Sequence, residues 1–289
     1  MTRQSPGAVP GAFEIVSASP VRPRTKPARR MGVLAWWAVF LIGFLYFFVP
    51  LLGTLMWSFQ SRPAFSAYAV VTEDPKFAST LLYSFEIGII TIIVSAALIV
   101  PTAYWVRLRL PHLRRYIEFI SLLPFVIPPI LLVFGLIRTY GSGPFPLAST
   151  EFGSNVLVVA AYVVLSFPYM YRAVDTGLRA IDVRSLTEAS QRLGAGWFTI
   201  LTRVVFPNLR VSLLSGAFLT LAIVVGEYTI ATFLARPAFG PYIEGISGNQ
   251  AYQPAAVTLI SFALTWIAMG LISILGRRSP TKVQLTGAH

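Results

Sequence analysis

Residues 177–207 read GLRAIDVRSLTEASQRLGAGWFTILTRVVFP and separate two strongly apolar stretches of the chain. Ser185 and Glu188 have the spacing of a capping box, which predicts that a helix opens at Ser185. Gly194 and Gly196 predict where it ends, because glycine readily adopts the left-handed conformation of a helix stop. Apolar residues then recur at helical spacing, so a second, amphipathic helix is expected. This stretch therefore predicts two short helices joined by a glycine turn.

The composition around this stretch indicates a membrane protein. Hydrophobic residues make up 55% of the 289 residues and charged residues only 12%, whereas soluble domains carry about 25% charged residues. The chain has no cysteine, which excludes disulfides, thiolate metal sites and cysteine catalysis. Its net charge of +12 comes mostly from short segments between apolar stretches. We therefore expect membrane lipid around the chain and no nucleic-acid partner.

Six stretches are apolar and long enough to span a bilayer, for which a helix needs about 20 residues. The six predicted spans are Val33–Phe59, Thr80–Val106, Ile117–Ile137, Asn155–Tyr171, Val211–Leu234 and Tyr252–Leu275. The predicted fold is an all-α polytopic membrane protein with kinked or broken helices in its core. Its predicted segments are a disordered tail (1–30), the first span with an outer loop (31–76), a core of five spans (77–276) and a second tail (277–289).

Orientation follows from basic residues, which accumulate in short cytoplasmic loops. Four arginines lie between the second and third spans and six lie between the fourth and fifth, whereas the three alternate loops together carry four basic residues. Both tails are also basic. Both termini are therefore predicted to be cytoplasmic, which requires an even number of spans.

Proline interrupts the third span at Pro128 and Pro129. Each proline removes a backbone donor and disturbs the carbonyl of the residue four positions earlier. In lipid, the freed groups must be satisfied by neighbouring helices or a wet cavity. We therefore predict a broken helix at this pair that lines a pathway, with a packed kink as the alternative.

Two carboxylates, Glu86 and Glu227, fall inside predicted spans. Charges within a bilayer are costly and face a cavity or a partner. Both lie roughly 10 Å below the outer surface at 1.5 Å per residue, which favours a cationic cargo. The alternative is that each carboxylate pairs with a structural arginine, such as Arg138 or Arg236.

Aromatic side chains accompany both carboxylates. Tyr83 precedes Glu86 by three residues, and Tyr228 follows Glu227. Their rings are candidates to hold an alkylammonium group by cation–π contact, although packing or a place in an interfacial belt is an alternative for each. The substrate-pathway residues predicted from the sequence are therefore Glu227, Glu86, Tyr228, Tyr83, Pro128 and Pro129.

The segment between the fourth and fifth spans resembles the cytoplasmic signature of binding-protein-dependent ABC importer permeases. That signature is Glu-Ala-Ala, three residues, Gly, nine residues and Ile-x-Leu-Pro. The matching residues here are Glu188, Ala189, Ser190, Gly194, Val204, Phe206 and Pro207. Ser190, Val204 and Phe206 depart from the pattern conservatively, and every spacing agrees. Pro207 also suits the first turn of the fifth span. The resemblance extends over residues 77–276.

The resemblance implies a coupling helix at about 185–206 that sits in a groove of a separate ATPase. Glu188 would make a polar contact near the docking surface, and Ala189 and Gly194 would allow close approach. The implied partners are an ABC ATPase dimer that binds ATP and Mg, a second permease subunit expected to be a different chain, and an extracytoplasmic solute-binding protein. This chain lacks the Gly-x-x-x-x-Gly-Lys-Ser/Thr loop that cradles phosphates. We therefore expect no cofactor and no enzymatic activity in it.

Residues 226–234 resemble the fifth span of permeases in the spermidine/putrescine group, so a polyamine or similar small cation is the expected cargo. Iron(III), thiamine and phosphonate remain alternatives within that group. The expected location is the bacterial inner membrane. A secondary transporter or channel driven by an ion gradient is the alternative class, but it gives the signature spacing no role and predicts internal inverted repeats that the sequence lacks. An intramembrane enzyme is disfavoured, because no catalytic pair stands at suitable spacing in the spans.

Overall fold

The computed structural model describes residues 28–277 except 64, 143 and 145, and the described part is helical with no strand. The predicted tails lie outside the described residues except at 28–30 and 277. The helices are α1 (Ala28–Ser58), α2 (Ser66–Glu73), α3 (Pro75–Arg109), α4 (Arg114–Val126), α5 (Pro129–Tyr140), α6 (Glu151–Ala180), α7 (Val183–Arg192), α8 (Trp197–Ile200), α9 (Phe206–Asn208), α10 (Arg210–Gly226), α11 (Thr229–Phe233), α12 (Phe239–Ser247) and α13 (Gln253–Arg277). A π-helical segment, Leu201–Val205, joins α8 to α9.

The chain divides into two compact units, Met1–Leu51 and Leu52–His289. The described part of the first unit belongs to α1, whose side chains at residues 35–50 are exposed and mostly apolar. The second unit contains the remaining helices. An exposed apolar helix of this kind is typical of a lipid-facing span.

Four helices within the described residues are long and apolar enough to cross a membrane without a break. They contain Ala35–Ser58, Pro75–Arg109, Glu151–Ala180 and Gln253–Gly270. Two further spans are bent pairs, Pro111–Val126 with Pro129–Tyr140 at 93° and Trp197–Asn208 with Arg210–Gly226 at 77°. The all-α membrane fold is confirmed, with the predicted six spans reached when each bent pair is counted as one.

Of the two bent spans, one agrees with the sequence prediction and the other differs from it. The third span breaks at Pro128, as predicted, because Ile127 and Pro128 are extended. The fifth was predicted as one span, Val211–Leu234, without a break assigned to it, and the structure interrupts it after Gly226. The helix ends at Gly226, Glu227 is extended with φ −77° and ψ 129°, and α11 begins two residues later. The physical reason is that the Glu227 side chain occupies the N–H groups that a continuous helix would use.

Helices α3, α6 and α10 pack together at the centre of the second unit. Gly88 of α3 lies so close to α10 that an added Cβ would stand 2.7 Å from the side chain of Leu221. The hydroxyls of Ser95 on α3 and Ser166 on α6 form a buried hydrogen bond of 2.6 Å. Small and hydroxyl-bearing residues are the usual means of joining helices in a membrane.

Buried apolar residues form three clusters around this centre. One joins the end of α3 to α6, α7 and the π-helical segment. A second joins α2, α12 and α13 at the start of α3. A third joins α5, α6, α10 and α11. We call the end of the unit where α3 finishes and α7 lies the basic end, since Arg107, Arg109, Arg114 and Arg179 all belong to it.

Candidate functional site

Helix α7 begins at Val183 because Asp182 caps it. The Asp182 carboxylate accepts hydrogen bonds from the Ser185 N–H at 3.2 Å and the Ser185 hydroxyl at 2.7 Å. These bonds stabilise the ionised carboxylate and hold the pKa of Asp182 below its usual value. The predicted capping box of Ser185 and Glu188 is therefore wrong. Glu188 instead accepts a hydrogen bond of 3.1 Å from Arg184, one turn earlier.

The glycine turn after α7 follows the prediction at Gly194 and departs from it at Gly196. Gly194 has φ +79°, in the left-handed region, and its N–H donates to the carbonyl of Gln191. Gly196 has φ −73° and starts α8 rather than ending α7. Gly194 is therefore the glycine of this turn whose left-handed conformation would be unfavourable for any other residue.

The two faces of α7 differ sharply. Val183 and Thr187, one turn apart, are buried, and Thr187 meets the hydroxyl of Tyr104 on α3 at 3.1 Å. Leu186 and Ala189 of α7 are exposed, and so is Leu193, which follows the last residue of the helix; Leu186 and Leu193 are 37% and 89% exposed. This outward stripe, defined as Leu186, Ala189 and Leu193, is called the docking face below.

The remaining signature residues form contacts within α7 or with the apolar cluster that lies against it. Ser190 is half-buried, and its hydroxyl donates to the carbonyl of Leu186 at 2.7 Å. Val204 and Phe206 pack against the apolar cluster at the basic end. Pro207 lies in the short α9, ahead of the bend into α10. Pro207 was predicted in the first turn of the fifth span; it lies instead within the first arm of that bent span, one turn before α10 begins.

A second feature is a cleft between the two helix breaks. Its lining residues are Pro124, Phe125, Pro129, Leu165, Tyr169, Ile223, Gly226, Glu227, Tyr228 and Thr229, and its volume is about 400 Å³. The residues on either side of both breaks therefore meet in one place. Three residues of the predicted pathway, Pro129, Glu227 and Tyr228, line this cleft, and Pro128 is exposed beside it.

The Glu227 carboxylate is 9% exposed and has its partners inside the protein. It accepts a hydrogen bond of 3.0 Å from the Tyr162 hydroxyl on α6. It also accepts the N–H of Ile230 at 2.9 Å and that of Ala231 at 3.2 Å, so it caps the start of α11. The carboxylate is therefore stabilised by a hydroxyl of α6 and by two backbone N–H groups of its own segment.

Tyr83 and Glu86 lie apart from the cleft. The Tyr83 hydroxyl donates to Asn155 at 2.7 Å, and Arg236 donates to the same oxygen at 3.3 Å. Arg236 in turn pairs with Glu151 at 3.4 Å. Glu86 is exposed on α3. Its proposed role on the substrate pathway stays a prediction.

At the opposite end from α7, helix α12 is fastened to the start of α3. The Tyr242 hydroxyl donates to the Asp74 carboxylate at 2.9 Å, and burial together with this bond raises the pKa of Tyr242. Gly240 lies against the Glu227 carbonyl so closely that any side chain at position 240 would collide with it. Helix α12 therefore packs directly against the backbone at the break between α10 and α11.

Neither the cleft nor α7 has the composition of a metal site. Within residues 28–277, apart from the three that are not described, no group of three or more His, Cys, Asp and Glu is close enough to hold a metal ion. The cleft offers aromatic rings, hydroxyls and one internally paired carboxylate. Such a lining provides no nucleophile with an adjacent base among the residues that line the cleft.

Comparisons with known proteins agree with this geometry. Residues 100–279 match the family described as binding-protein-dependent transport system inner membrane component. A probable molybdenum ABC transporter permease protein of Haloferax volcanii is 30% identical over 231 residues, which are 76% of this chain and 82% of that one. The methionine import system permease protein MetP of Bacillus subtilis is 30% identical over 132 residues, which are 45% and 57% of the two chains.

A solved structure shares the fold. It is the crystal structure of a bacterial ABC transporter involved in the import of the acidic polysaccharide alginate. One of its chains superposes with a TM-score of 0.67 at 15% identity, covering 87% of this chain and 97% of that chain. The helices described above therefore form a known arrangement of membrane spans.

Proposed function

The chain belongs to the family of binding-protein-dependent transport system inner membrane components and is a permease subunit of an ABC importer; on this basis we propose that α7 docks on a separate ATPase and that the cleft lies on the path of the solute. The observation that carries the proposal is the docking face. Leu193 is 89% exposed, so an apolar side chain is accessible at the basic end. Exposed apolar residues grouped on one face mark an interaction site.

The mechanism proposed for α7 depends on the buried side of the helix. The buried Val183 and Thr187 fasten α7 to the core, and Thr187 meets Tyr104 of α3. A displacement of α7 by the ATPase is therefore passed to α3 and α6. We assign Glu188 the polar contact beside the docking face and Gly194 the close approach, while Ser190, Val204, Phe206 and Pro207 hold α7 in place.

The proposed path of the solute runs past the two helix breaks. Discontinuous helices that meet at one site are typical of transporter substrate sites, because their free backbone groups face the solute. A second permease subunit supplies the other half of the path. ATP and Mg bind to the ATPase dimer, and an extracytoplasmic binding protein delivers the solute.

The proposed cargo is a small oxyanion, such as that of molybdenum. The support comes from the Haloferax volcanii relative, which is named for molybdenum and matches over most of its length. Neither relative described above is named for a polyamine, so the expectation of a polyamine finds no support there. The chemistry of the cleft also fits an oxyanion, because Tyr169, Tyr228 and Thr229 offer hydroxyl donors and the one carboxylate is already engaged.

Uptake measurements test the cargo. We expect deletion of the gene from its host to abolish initial uptake of ⁹⁹Mo-labelled molybdate and to leave labelled putrescine unaffected. Labelled methionine is the third probe, because the other relative is named for methionine. If methionine or putrescine uptake is lost and molybdate uptake stays intact, the cargo is not the proposed oxyanion. The assignment of the chain as a permease subunit would be unaffected by that result.

The chain is proposed to span the cytoplasmic membrane. In the proposed orientation, both termini and α7 lie on the cytoplasmic side. The chain has no cysteine of its own, so single cysteines report accessibility directly. An impermeant thiol reagent added outside should label Ser142→Cys and leave Gln191→Cys unlabelled, although both positions are exposed. The reverse pattern would invert the topology.

A further inference from the structure

Three arginines converge on one buried carboxylate at the basic end, away from the docking face and the cleft. Asp175 on α6 is 8% exposed. It accepts hydrogen bonds from Arg179 Nε at 2.9 Å and Nη2 at 2.5 Å, and from Arg114 Nη2 at 3.0 Å. Arg107 Nη1 lies 3.9 Å from its other oxygen. The cluster therefore joins the end of α3, the start of α4 and the end of α6.

The charges in this cluster do not balance. Three guanidinium groups share the single Asp175 carboxylate, and guanidinium groups stay protonated in proteins. The nearest further carboxylate belongs to Glu118, one turn after Arg114 on α4, with its side chain exposed. Even with Glu118 counted, three positive charges face two negative ones. A partly buried excess of positive charge attracts an anion from its surroundings.

One donor of the cluster also lacks an acceptor. Arg114 Nε is buried and has no hydrogen-bond partner among the described protein groups, and native proteins satisfy such a donor with water, an ion or a ligand. Helix α4 begins at the same residue, with no side-chain cap and no acidic residue in its first turn. The positive end of the α4 dipole therefore adds to the charge of the guanidinium groups.

The chemistry of the unmet donors points to the ligand. Guanidinium groups arranged side by side match the oxygens of phosphate and related tetrahedral oxyanions, which accept several charge-assisted hydrogen bonds at once. Arg107 contacts Asp175 only through an ion pair of 3.9 Å, so it is the arginine most able to turn toward a ligand. Basic pockets between membrane helices are also known to take the head groups of anionic lipids.

We propose that the cluster of Arg107, Arg114 and Arg179 around Asp175 is a binding site for a tetrahedral oxyanion. The shared chemistry is a phosphate-like group, supplied either by the head group of an anionic lipid or by a free anion. By filling the site, the anion ties α3, α4 and α6 together next to α7. This inference does not rest on the proposed cargo and concerns a site separate from the cleft.

The test uses the full-length chain and two matched variants. Arg107→Gln removes one arginine of the cluster, and Arg109→Gln removes the same charge from an exposed position two residues further on. For the lipid source, native mass spectrometry measures the binding of dioleoylphosphatidylglycerol against dioleoylphosphatidylcholine. For the free source, the midpoint of thermal unfolding is measured in sodium phosphate and in sodium chloride at equal ionic strength.

The expected result is preferential binding of phosphatidylglycerol, or a midpoint raised by phosphate above that in chloride. Arg107→Gln should raise the dissociation constant about tenfold, the loss expected for one charge-assisted hydrogen bond, while Arg109→Gln changes it less than about twofold. An effect of phosphatidylglycerol alone assigns the site to lipid, and an effect of phosphate assigns it to a free anion. Equal losses in both variants, or no preference in either measurement, would overturn the proposal.

A third variant separates binding from a purely structural role. Asp175→Asn removes the carboxylate that competes with the anion for the same arginines. The proposal predicts tighter binding of the phosphate group in this variant. Reduced thermal stability without any gain in anion affinity would show that the cluster serves only to hold the three helices together.

Discussion

The hydroxyl of Tyr104 on α3 lies 3.1 Å from the hydroxyl of Thr187 on α7, and both side chains are buried. Thr187 donates its own proton to the carbonyl of Val183, so Tyr104 is the donor between the two hydroxyls. This bond joins the proposed coupling helix to a long central span. It is a direct route by which movement of α7 reaches the core of the bundle.

Tyr104→Phe tests that route. The variant loses one neutral hydrogen bond, so the free energy of unfolding should fall by about 1 kcal/mol. We also expect fewer solute molecules to be transported per ATP hydrolysed, since α7 then moves without drawing α3 along. The measurement is the ratio of uptake to ATP hydrolysis in proteoliposomes. Tyr116→Phe, at an exposed tyrosine of α4, is the control, and a ratio that stays at the wild-type value in Tyr104→Phe argues against transmission through this contact.

Gly194→Ala probes the turn that ends α7. Because Gly194 has φ +79°, any L side chain there adopts the left-handed conformation, at a cost of about 1–2 kcal/mol. The matched control is Gly196→Ala, since Gly196 has φ −73° and an added Cβ meets no atom at either position. Chemical unfolding should show a loss for position 194 and little change for position 196. Equal effects at the two glycines would mean that the left-handed conformation at position 194 does not determine the turn.

The cap of α7 should depend on pH. Bonds from Ser185 lower the pKa of Asp182 in the folded state, so its contribution to stability is fully present above the unfolded value, about 3.9. The contribution is lost as the pH falls through the lower, folded pKa. We expect hydrogen-exchange protection factors of residues 183–192 to drop as the pH falls below about 4 and through the lower pKa of the folded state.

Asp182→Ser is the control for this pH dependence, because serine also caps helices but does not titrate. Its protection factors should be insensitive to acid over the same range. If wild type and Asp182→Ser respond to acid identically, the Asp182 carboxylate is not what holds the start of α7.

Glu227→Gln distinguishes a structural carboxylate from a cargo contact. The carboxylate accepts bonds from Tyr162, Ile230 and Ala231, and losing the charge should cost about 1.5–3 kcal/mol of stability. Uptake of an oxyanion per folded complex should be retained. Glu86→Gln, at the exposed carboxylate of α3, should leave the stability unchanged. An unaltered unfolding midpoint combined with abolished uptake would instead place the solute at Glu227.

The parts of the fold that could be predicted from the sequence are those set by local chemistry. Apolar length determines the spans, the adjacent Pro128 and Pro129 break the third span, and a glycine such as Gly194 marks a helix stop. The capping box at Ser185 failed because Asp182 offered a competing cap, and burial of Val183 at the first helical position favours the earlier start. Both Asp182 and Ser185 could cap the helix, and the packing of Val183 selects Asp182.

The second helix break could not be predicted, because the local cap that Glu227 forms with Ile230 and Ala231 acts together with contacts from distant parts of the chain. Nothing between Val211 and Gly226 interrupts a helix. The break depends on Tyr162, 65 residues earlier, which donates to Glu227, and on the backbone of α12 packed against the Glu227 carbonyl. A carboxylate next to a glycine inside a span was the only sign, and it was interpreted as a cargo contact rather than a helix cap.

The central claim is that the exposed face of α7 docks on the ATPase, and Leu193→Glu tests it most directly. Burying a leucine contributes about 1.5–3 kcal/mol, so a charge at position 193 should weaken binding of the ATPase subunit at least about tenfold. Gln191→Glu adds the same charge to an exposed neighbour on α7 and should bind nearly as the wild type does. The measurement is the dissociation constant of the purified ATPase for each variant in nanodiscs. A large loss for Leu193→Glu alone is the predicted result, whereas wild-type affinity in Leu193→Glu would contradict the account.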